Sequence, residues 1–416
     1  MARMGRLWCI GSSDMSAKQR FDRRQWMLLS LLGIALIGNT VVTYYYFTIR
    51  VPGGNDSIPR YYGARAWLFE GLSPYSQAVG ERGQIAIYGR LANDSGEDKA
   101  HFAYPFYAIF FYIPLAWLDW NWARAVGTVC TEAALAATAL FSFRFNRWSP
   151  PAWLAAATLL WTLMFYHGAR TIILWQFAAV SAVLIAGGLW AIHERRDVLA
   201  GITLALATAK PQMTFIIVPL IGLWSLSARR WRLAISLLGS MIVLCGLSFI
   251  FAPDWVAMML RQIESYGSYT DIGSPINTLT RIVFPFLGQP VEWLLNLLLA
   301  GWLAWEWWQA RLGEGKRFDW VVMLTLVITN LVALRTATTN YVMMTPTLVY
   351  LFARAANRWG GRAYIWIAAV EAVMFAGLWV LFAVTVKGRI EQWPMYLPLP
   401  LGLLAGLIAC RPRSLA

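Results

Sequence analysis

The run WMLLSLLGIALIGNTVVTYYY, residues 26–46, decides the fold class of this chain. It is long enough to cross a bilayer as one helix, since about 20 apolar residues span the hydrocarbon core. A cleavable secretory signal has a shorter apolar region and a small-residue cleavage site, whereas this run ends in three tyrosines. We therefore predict an uncleaved first span, and the basic residues before it form a cytoplasmic tail.

The composition extends this conclusion to the rest of the chain. Hydrophobic residues make up 59% of the 416 residues and charged residues only 13%, far from the roughly 25% charged residues of soluble domains. The net charge of +14 comes from basic residues clustered between apolar runs, which is typical of topology signals and requires no nucleic acid partner. None of the four cysteines lies in a predicted exported loop, so no disulfide framework is indicated. The composition predicts an all-α polytopic protein of the cell membrane.

Clusters of arginine and lysine set the predicted topology, because such clusters are retained on the cytoplasmic side. Applied along the chain, this rule predicts about 12 transmembrane helices with both termini inside. We expect a basic cytoplasmic tail at residues 1–25 and a transmembrane module at residues 26–252, which includes a long first extracytoplasmic loop at residues 49–118. Residues 253–416 hold a second extracytoplasmic loop and the C-terminal helices.

Two segments interrupt the regular pattern of apolar runs. Residues 101–118 contain two prolines, and the parity of the crossings requires this segment to lie along or dip into the outer leaflet. Residues 200–224 are apolar except for Lys210-Pro211-Gln212, and both flanks are basic. We predict two short helices in a hairpin whose turn carries Lys210 toward the outer leaflet, because a buried lysine is costly without water or an anion. One ordinary span with a snorkelling lysine is the alternative.

Asp56 opens the polar stretch that follows the first span, in the sequence Gly53-Gly54-Asn55-Asp56. A carboxylate just outside a span is where a membrane transferase would hold the base that activates an acceptor hydroxyl. Alternatively, Asn55-Asp56-Ser57 before Pro59 is good capping chemistry for a surface helix. The position alone favours the cap.

Other polar residues of the predicted outer face could share one site with Asp56. Basic groups at the depth of lipid headgroups suit a phosphate or pyrophosphate, since Arg and Lys bind phosphate oxygens strongly. An interfacial anchor is the alternative role of each arginine. The candidates are Arg60, Tyr62, Arg65, His101, Tyr104, Arg170, Gln176, Lys210, Asp271, Ser274, Asn277 and Arg281.

A series of short motifs runs from the first loop into the second half of the chain. After Asp56 they are Tyr61-Tyr62-Gly63-Ala64-Arg65-Ala66, Glu70-Gly71-Leu72-Ser73-Pro74-Tyr75, Phe102-Ala103-Tyr104-Pro105, Leu174-Trp175-Gln176, Ala209-Lys210-Pro211 and Ser274-Pro275-Ile276-Asn277-Thr278-Leu279. In this order and spacing, over roughly residues 40–350, the series resembles glycosyltransferase family 87. Members of that family are transferases of the GT-C fold that depend on polyprenyl-phosphate sugars, and they include mycobacterial mannosyltransferases of phosphatidylinositol mannosides and lipoarabinomannan.

The resemblance implies a mechanism. The catalytic carboxylate of this fold lies in the first outer loop, which makes Asp56 the favoured base for the hydroxyl of a lipid or glycan acceptor. The donor would be a polyprenyl-phosphate hexose, with mannose favoured, and the reaction would invert the anomeric carbon. Its phosphate would bind Lys210 and one or more of Arg60, Arg170 and Arg281. The remaining candidates for substrate binding are Tyr62, His101, Tyr104, Gln176 and Asn277.

Three positions depart from the family pattern. Phe106 stands where a second proline often follows Tyr-Pro, and Ala178 stands where an asparagine often accompanies the glutamine element. Late in the chain, Thr338-Thr339-Asn340-Tyr341 replaces a histidine-rich outer element. This last difference concerns how the donor or acceptor is held and does not affect Asp56.

No cofactor and no metal are predicted, with a loosely bound divalent ion as the alternative. The chain has three histidines, and they form no convincing metal-binding cluster. Basic side chains can stabilise a departing phosphate where a metal would otherwise be needed.

Two other classes of function share some of these features. A transporter or flippase of a lipid-linked saccharide would also have outer basic groups and broken helices, but it should show paired repeats and polar residues near the middle of the membrane. A non-catalytic membrane subunit would leave Asp56 and Lys210 without roles.

Overall fold

The computed structural model describes residues 23–93, 96–266, 273–333, 336–388 and 391–412, and helices dominate these ranges. In the first half of the chain the α-helices are α1 (Arg23–Thr43), α2 (Ile58–Glu70), α3 (Gln77–Tyr88), α4 (Ile113–Ala116), α5 (Trp120–Phe145), α6 (Ala152–Met164), α7 (Tyr166–Ile173), α8 (Ala178–His193) and α9 (Asp197–Ala207). The second half contains α10 (Pro211–Thr214), α11 (Ile217–Ser227), α12 (Trp231–Phe251), α13 (Trp255–Tyr266), α14 (Pro275–Thr278), α15 (Gly288–Ala310), α16 (Lys316–Val332), α17 (Thr345–Trp359), α18 (Arg362–Thr385) and α19 (Pro398–Ala409).

Several of these helices are suited to a bilayer. In the described parts of the chain, four are long and apolar enough to cross a membrane, at Gln25–Thr48, Trp120–Phe145, Trp231–Phe251 and Arg362–Thr385. A fifth candidate is the pair Pro275–Val283 and Pro285–Ala310, which bends by 97°. The chain is therefore an all-helical membrane protein, as the composition predicts. The count of about 12 crossings stays a prediction, since five further apolar helices are shorter than a full span.

The segment at residues 101–118 contains no long helix. Its regular structure is the short 3-10 turn Phe106–Phe111 followed by the four residues of α4. Proline cannot donate a backbone hydrogen bond and so interrupts helices. The segment is not one straight helical span, in agreement with the prediction, and its depth in the membrane stays a prediction.

The chain also breaks at Lys210, as the sequence predicts. Helix α9 ends at Ala207, the single turn α10 follows Lys210, and α11 resumes the apolar run at Ile217. The break excludes one continuous helix through Lys210. Because the backbone leaves the helical path here, the lysine side chain is directed by a turn and not by helical periodicity.

Helices α5, α8, α9 and α16 form the packed interior. Small residues allow close contact between helices: a methyl group on Gly188 of α8 would lie 2.8 Å from Cγ of Leu204 in α9, and one on Gly201 of α9 would lie 2.6 Å from the backbone nitrogen of Leu237 in α12. Helix α1 lies at the periphery, with 6% of its apolar window buried. The interior helix α8 begins two residues after Gln176, so that packing fixes the position of this residue.

Candidate active site

Two glycines shape the turn that carries Asp56. Gly54 has a φ of +76°, which favours glycine, and its N–H donates to the carbonyl of Ile173 at 3.0 Å. A methyl group on Gly53 would lie 2.7 Å from Nη2 of Arg124. The backbone before Asp56 therefore lies directly against α5 and the end of α7. Any residue other than glycine at position 53 or 54 would displace this backbone or its neighbours.

Asp56 does not cap a helix. It lies in the 3-10 turn Asn55–Ser57, and neither this turn nor α2 has a side-chain cap hydrogen bond. Instead, Oδ2 of Asp56 accepts a hydrogen bond from Nε2 of Gln176. The side chain of Asp56 is half-buried, so it remains accessible to a reacting group.

A tight turn places Gln176. Trp175 has a φ of +47°, and N–H of Gln176 donates to the carbonyl of Thr171 at 2.9 Å, which is the pattern of a Schellman helix end. The Trp175 ring covers Gly127, where a methyl group would lie 1.9 Å from the indole. In addition, Oγ of Ser57 donates to the carbonyl of Trp175. The turns that bear Asp56 and Gln176 are thus joined by a hydrogen bond from a side chain of one to the backbone of the other.

Lys210 completes a bridge through the same amide. Its Nζ donates to Oε1 of Gln176 at 2.6 Å, and the lysine is only 1% exposed. The carbonyl end of the Gln176 amide therefore faces Lys210. The NH₂ end must then face Asp56, which acts as the acceptor.

Arg60 adds a second buried cation to this group. One guanidinium nitrogen donates to the backbone carbonyl of Asp56, and the guanidinium carbon lies 3.7 Å from the centre of the Tyr104 ring. Stacking on an aromatic face stabilises a desolvated guanidinium. We call Asp56, Arg60, Tyr104, Gln176 and Lys210 the Asp56 cluster.

A further carboxylate near this cluster was not predicted from the sequence. Burial and the negative charge of Asp56 raise the pKa of the Asp98 carboxyl. Its Oδ1 accepts from N–H of Ala100 at 2.9 Å. The only signal in the sequence is its position shortly before Phe102-Ala103-Tyr104-Pro105, and this spacing gave no reason to select it over the other acidic residues of the loop.

The other predicted site residues contact different partners. Arg170 forms an ion pair with Glu391 at 2.9 Å and donates to the hydroxyl of Tyr166 at 2.6 Å. Arg281 and Asn277 both contact Glu292, each at 3.1 Å. Arg170 and Arg281 are each paired with a glutamate, and the prediction that one or more of Arg60, Arg170 and Arg281 bind the donor phosphate together with Lys210 stays a prediction.

Two aromatic candidates also lie outside the Asp56 cluster. Tyr62 stacks on Trp120 with 6.3 Å between ring centres. His101 contacts Oγ of Ser265 through Nδ1 at 3.1 Å, and burial lowers the pKa of its imidazole. Asp271, another candidate of the outer face, lies outside the described residues.

The described residues contain no group of three or more His, Cys, Asp or Glu side chains that could hold a metal ion. The prediction that the reaction needs no metal is unaffected by this observation and stays a prediction. The Asp56 cluster thus holds the carboxylate of Asp56 and the amino group of Lys210 at the two ends of the Gln176 amide.

Comparison with known families assigns the chain. No curated protein and no solved structure gives a significant match. The model of Glycosyltransferase family 87 matches residues 102–333, more than half of the chain, including Tyr104, Gln176 and Lys210 of the Asp56 cluster. With its apolar helices, the chain thus belongs to glycosyltransferase family 87 and is a membrane glycosyltransferase.

Proposed function

We propose that the chain is an inverting transferase that moves a hexose, with mannose as the first candidate, from a polyprenyl-phosphate donor to a hydroxyl of a lipid or glycan acceptor. The reaction takes place at the extracytoplasmic face of the cell membrane. The observation that carries this proposal is the bridge from Asp56 through Gln176 to Lys210. The bridge holds the carboxylate of Asp56 and the amino group of Lys210 at the two ends of one amide, and this supports their roles as base and phosphate-binding group.

Asp56 acts as the general base. As the acceptor hydroxyl attacks the anomeric carbon, its proton passes to the carboxylate of Asp56 while the new glycosidic bond forms. The bond from the anomeric carbon to the phosphate oxygen breaks on the opposite face, and the polyprenyl phosphate leaves with the electron pair. Hydrogen bonding to Gln176 orients the carboxylate, and positioned bases of this kind typically contribute about a hundredfold to ten-thousandfold in rate.

Lys210 stabilises the leaving phosphate. One of its three N–H groups is used by Gln176, which leaves the ammonium able to donate to a phosphate oxygen. Arg60 adds positive charge from beneath Tyr104. Because Lys210 is 1% exposed, contact with the donor requires a neighbouring side chain to move, and Gln176 is the nearest candidate.

Sugar transfer by the purified protein in detergent tests this function. A polyprenyl-phosphate hexose should support turnover, and a nucleotide-linked hexose should not. Turnover without lipid translocation in proteoliposomes supports the transferase. Translocation without turnover would instead identify a flippase of lipid-linked saccharides, and turnover with the nucleotide sugar alone would overturn the donor assignment.

A further inference from the structure

A groove opens between α1, α5, α6, α7 and α18, and we call it the α7 groove. Its volume is about 780 Å³ and its lining is largely apolar, with Thr43, Thr128 and Glu132 among the few polar side chains. Three of its walls, α1, α5 and α18, are long apolar helices of membrane-spanning length. The groove therefore lies at bilayer depth, where the surrounding molecules are lipid chains.

The wall that separates the α7 groove from the bilayer is thin. Helix α1 has 6% of its apolar window buried. Asn39 of α1 donates to Glu132 of α5 at 2.6 Å, and Tyr44, directly after α1, stacks on Trp122 of α5 with 3.9 Å between ring centres. A lipid chain can reach the groove from the side of the molecule without crossing the packed interior.

The groove adjoins the Asp56 side of the active site. Ile173 lines it, and the carbonyl of the same residue accepts the N–H of Gly54, two residues before Asp56. Lys210 lies on the other end of the Gln176 amide, between α9 and α10, and neither of these helices contributes to the lining. The α7 groove is thus adjacent to the turn that carries Asp56 and not to Lys210.

We propose that the α7 groove binds one acyl chain of a lipid acceptor and thereby presents its hydroxyl to Asp56. This proposal rests on the transferase reaction proposed above. In an inverting displacement the attacking oxygen and the leaving phosphate occupy opposite faces of the anomeric carbon. The acceptor must therefore approach from the side of the base, and the donor from the side of Lys210.

A second groove provides an internal control. It lies between α17, α18 and α19, has a volume of about 680 Å³, and is likewise apolar. Its lining includes no residue of α2, α7 or α8, so it has no part in the active site. Ala169 and Ala355 are half-buried helical alanines that line the first and second groove, respectively. Ala169→Phe and Ala355→Phe are therefore a matched pair.

The test uses phosphatidylglycerol with a photoreactive acyl chain, a probe that combines acyl chains with free hydroxyl groups. After irradiation in detergent, mass spectrometry locates the label. We expect label on α1 and α7 of the parent, and a fall of at least tenfold there in Ala169→Phe but not in Ala355→Phe. Blocking the burial of about two methylene groups is enough for a tenfold loss of affinity. Equal labelling in both variants would mean annular lipid only and would overturn the proposal.

Two further arms separate the other outcomes. Leu160→Trp narrows the groove from α6, where Leu160 is 58% exposed, and it should reproduce the loss if Ala169→Phe fails to fold. An excess of unlabelled polyprenyl phosphate should not compete with the label, and competition would assign the groove to the donor chain instead. Labelling needs no turnover, so the two proposals can fail separately. Failure of sugar transfer would overturn the proposed function, whereas the labelling alone decides whether the groove binds a lipid chain.

Discussion

Nζ of Lys210 lies 2.6 Å from Oε1 of Gln176, and this contact determines which end of the Gln176 amide faces Asp56. Because the carbonyl end of the amide accepts from Lys210, its NH₂ group faces the carboxylate of Asp56, to which it donates. The orientation of the candidate base thus depends on a lysine with which it makes no direct hydrogen bond. A donor phosphate that draws Lys210 away from Gln176 would also change how Asp56 is held.

Asp56→Asn should preserve folding and donor binding but lower the turnover about a hundredfold to ten-thousandfold, because an amide cannot accept the proton of the acceptor hydroxyl. Asn can still accept the hydrogen bond from Gln176, so the local geometry should survive. Sugar transfer and donor binding are measured on the same preparation.

Asp119→Asn is the matched control for this substitution. Asp119 is an N-cap whose carboxylate accepts from the backbone N–H groups of Asn121 and Trp122, and asparagine caps helices equally well. The control should retain activity. Turnover of Asp56→Asn within a few-fold of the parent would exclude Asp56 as the base.

Lys210→Met should weaken donor binding by about tenfold to hundredfold, since a hydrogen bond to a charged group contributes on the order of 1.5–3 kcal/mol. The substitution keeps the length of the stem and removes the charge. Lys210→Arg should be milder without being neutral, because a planar fork does not replace a compact ammonium. Donor affinity is measured with a polyprenyl-phosphate sugar, and unchanged affinity in a well-folded Lys210→Met protein would remove Lys210 from the site.

Gly54→Ala should reduce both stability and turnover. A side chain in the left-handed region costs about 1–2 kcal/mol, and here a methyl group would also lie 3.1 Å from Cδ of Arg124 and 3.2 Å from the Trp120 ring. The displaced turn would carry Asp56 with it. Thermal unfolding and turnover are measured together.

Gly71→Ala is the control for the turn at Gly54. Gly71 has a similar φ of +67°, and a methyl group there would meet nothing within 4 Å. Gly71→Ala should lose a similar amount of stability, because its side chain also lies in the left-handed region, but it should keep its turnover. An equal loss of turnover in both variants would contradict the positioning role of the Gly54 turn.

Asp98→Asn should stabilise the protein at pH values above about 3.9, where the aspartate of the unfolded chain is ionised. The pKa of Asp98 is raised in the folded state, first by burial and then by the charge of Asp56, so the folded state binds its proton more tightly than the unfolded state. Below the unfolded pKa both states are protonated. As the pH rises through the folded pKa, the parent loses stability relative to the variant. The melting temperatures of the parent and the variant should diverge as the pH rises from the unfolded to the folded pKa of Asp98, and their difference should then stay constant. A difference that is the same at every pH would show that the titration of Asp98 does not affect stability.

The topology can be tested with single cysteines in a background that lacks the four native ones. Gly96 is exposed in the first loop, and Arg195 is 69% exposed through its side chain after α8. A cysteine at Gly96 should react with a membrane-impermeant maleimide in intact cells, and one at Arg195 should react only after the membrane is opened. The reverse pattern would place the Asp56 cluster on the cytoplasmic side.

The sequence by itself determined the class of protein and most of the candidate chemistry. Long apolar runs such as residues 26–46 are decisive on their own, because the bilayer thickness sets a length that few soluble helices meet. The interruption at Lys210 was also predictable, since a lysine followed by proline disfavours a continuous apolar helix. Asp56, Gln176 and Lys210 could each be selected from their positions and from the order of the family motifs.

Only the tertiary structure decided which of these groups meet. Asp56 and Gln176 are 120 residues apart, and their contact depends on the left-handed turns at Gly54 and Trp175 and on the close approach of α5 and α7. The pairing of Arg170 with Glu391, and the burial of Asp98 near Asp56, depend on long-range packing in the same way. The physical reason is that hydropathy and charge clusters place a residue along the membrane normal, whereas its neighbours in the plane are set by side-chain packing between helices, which leaves no local signature in the chain.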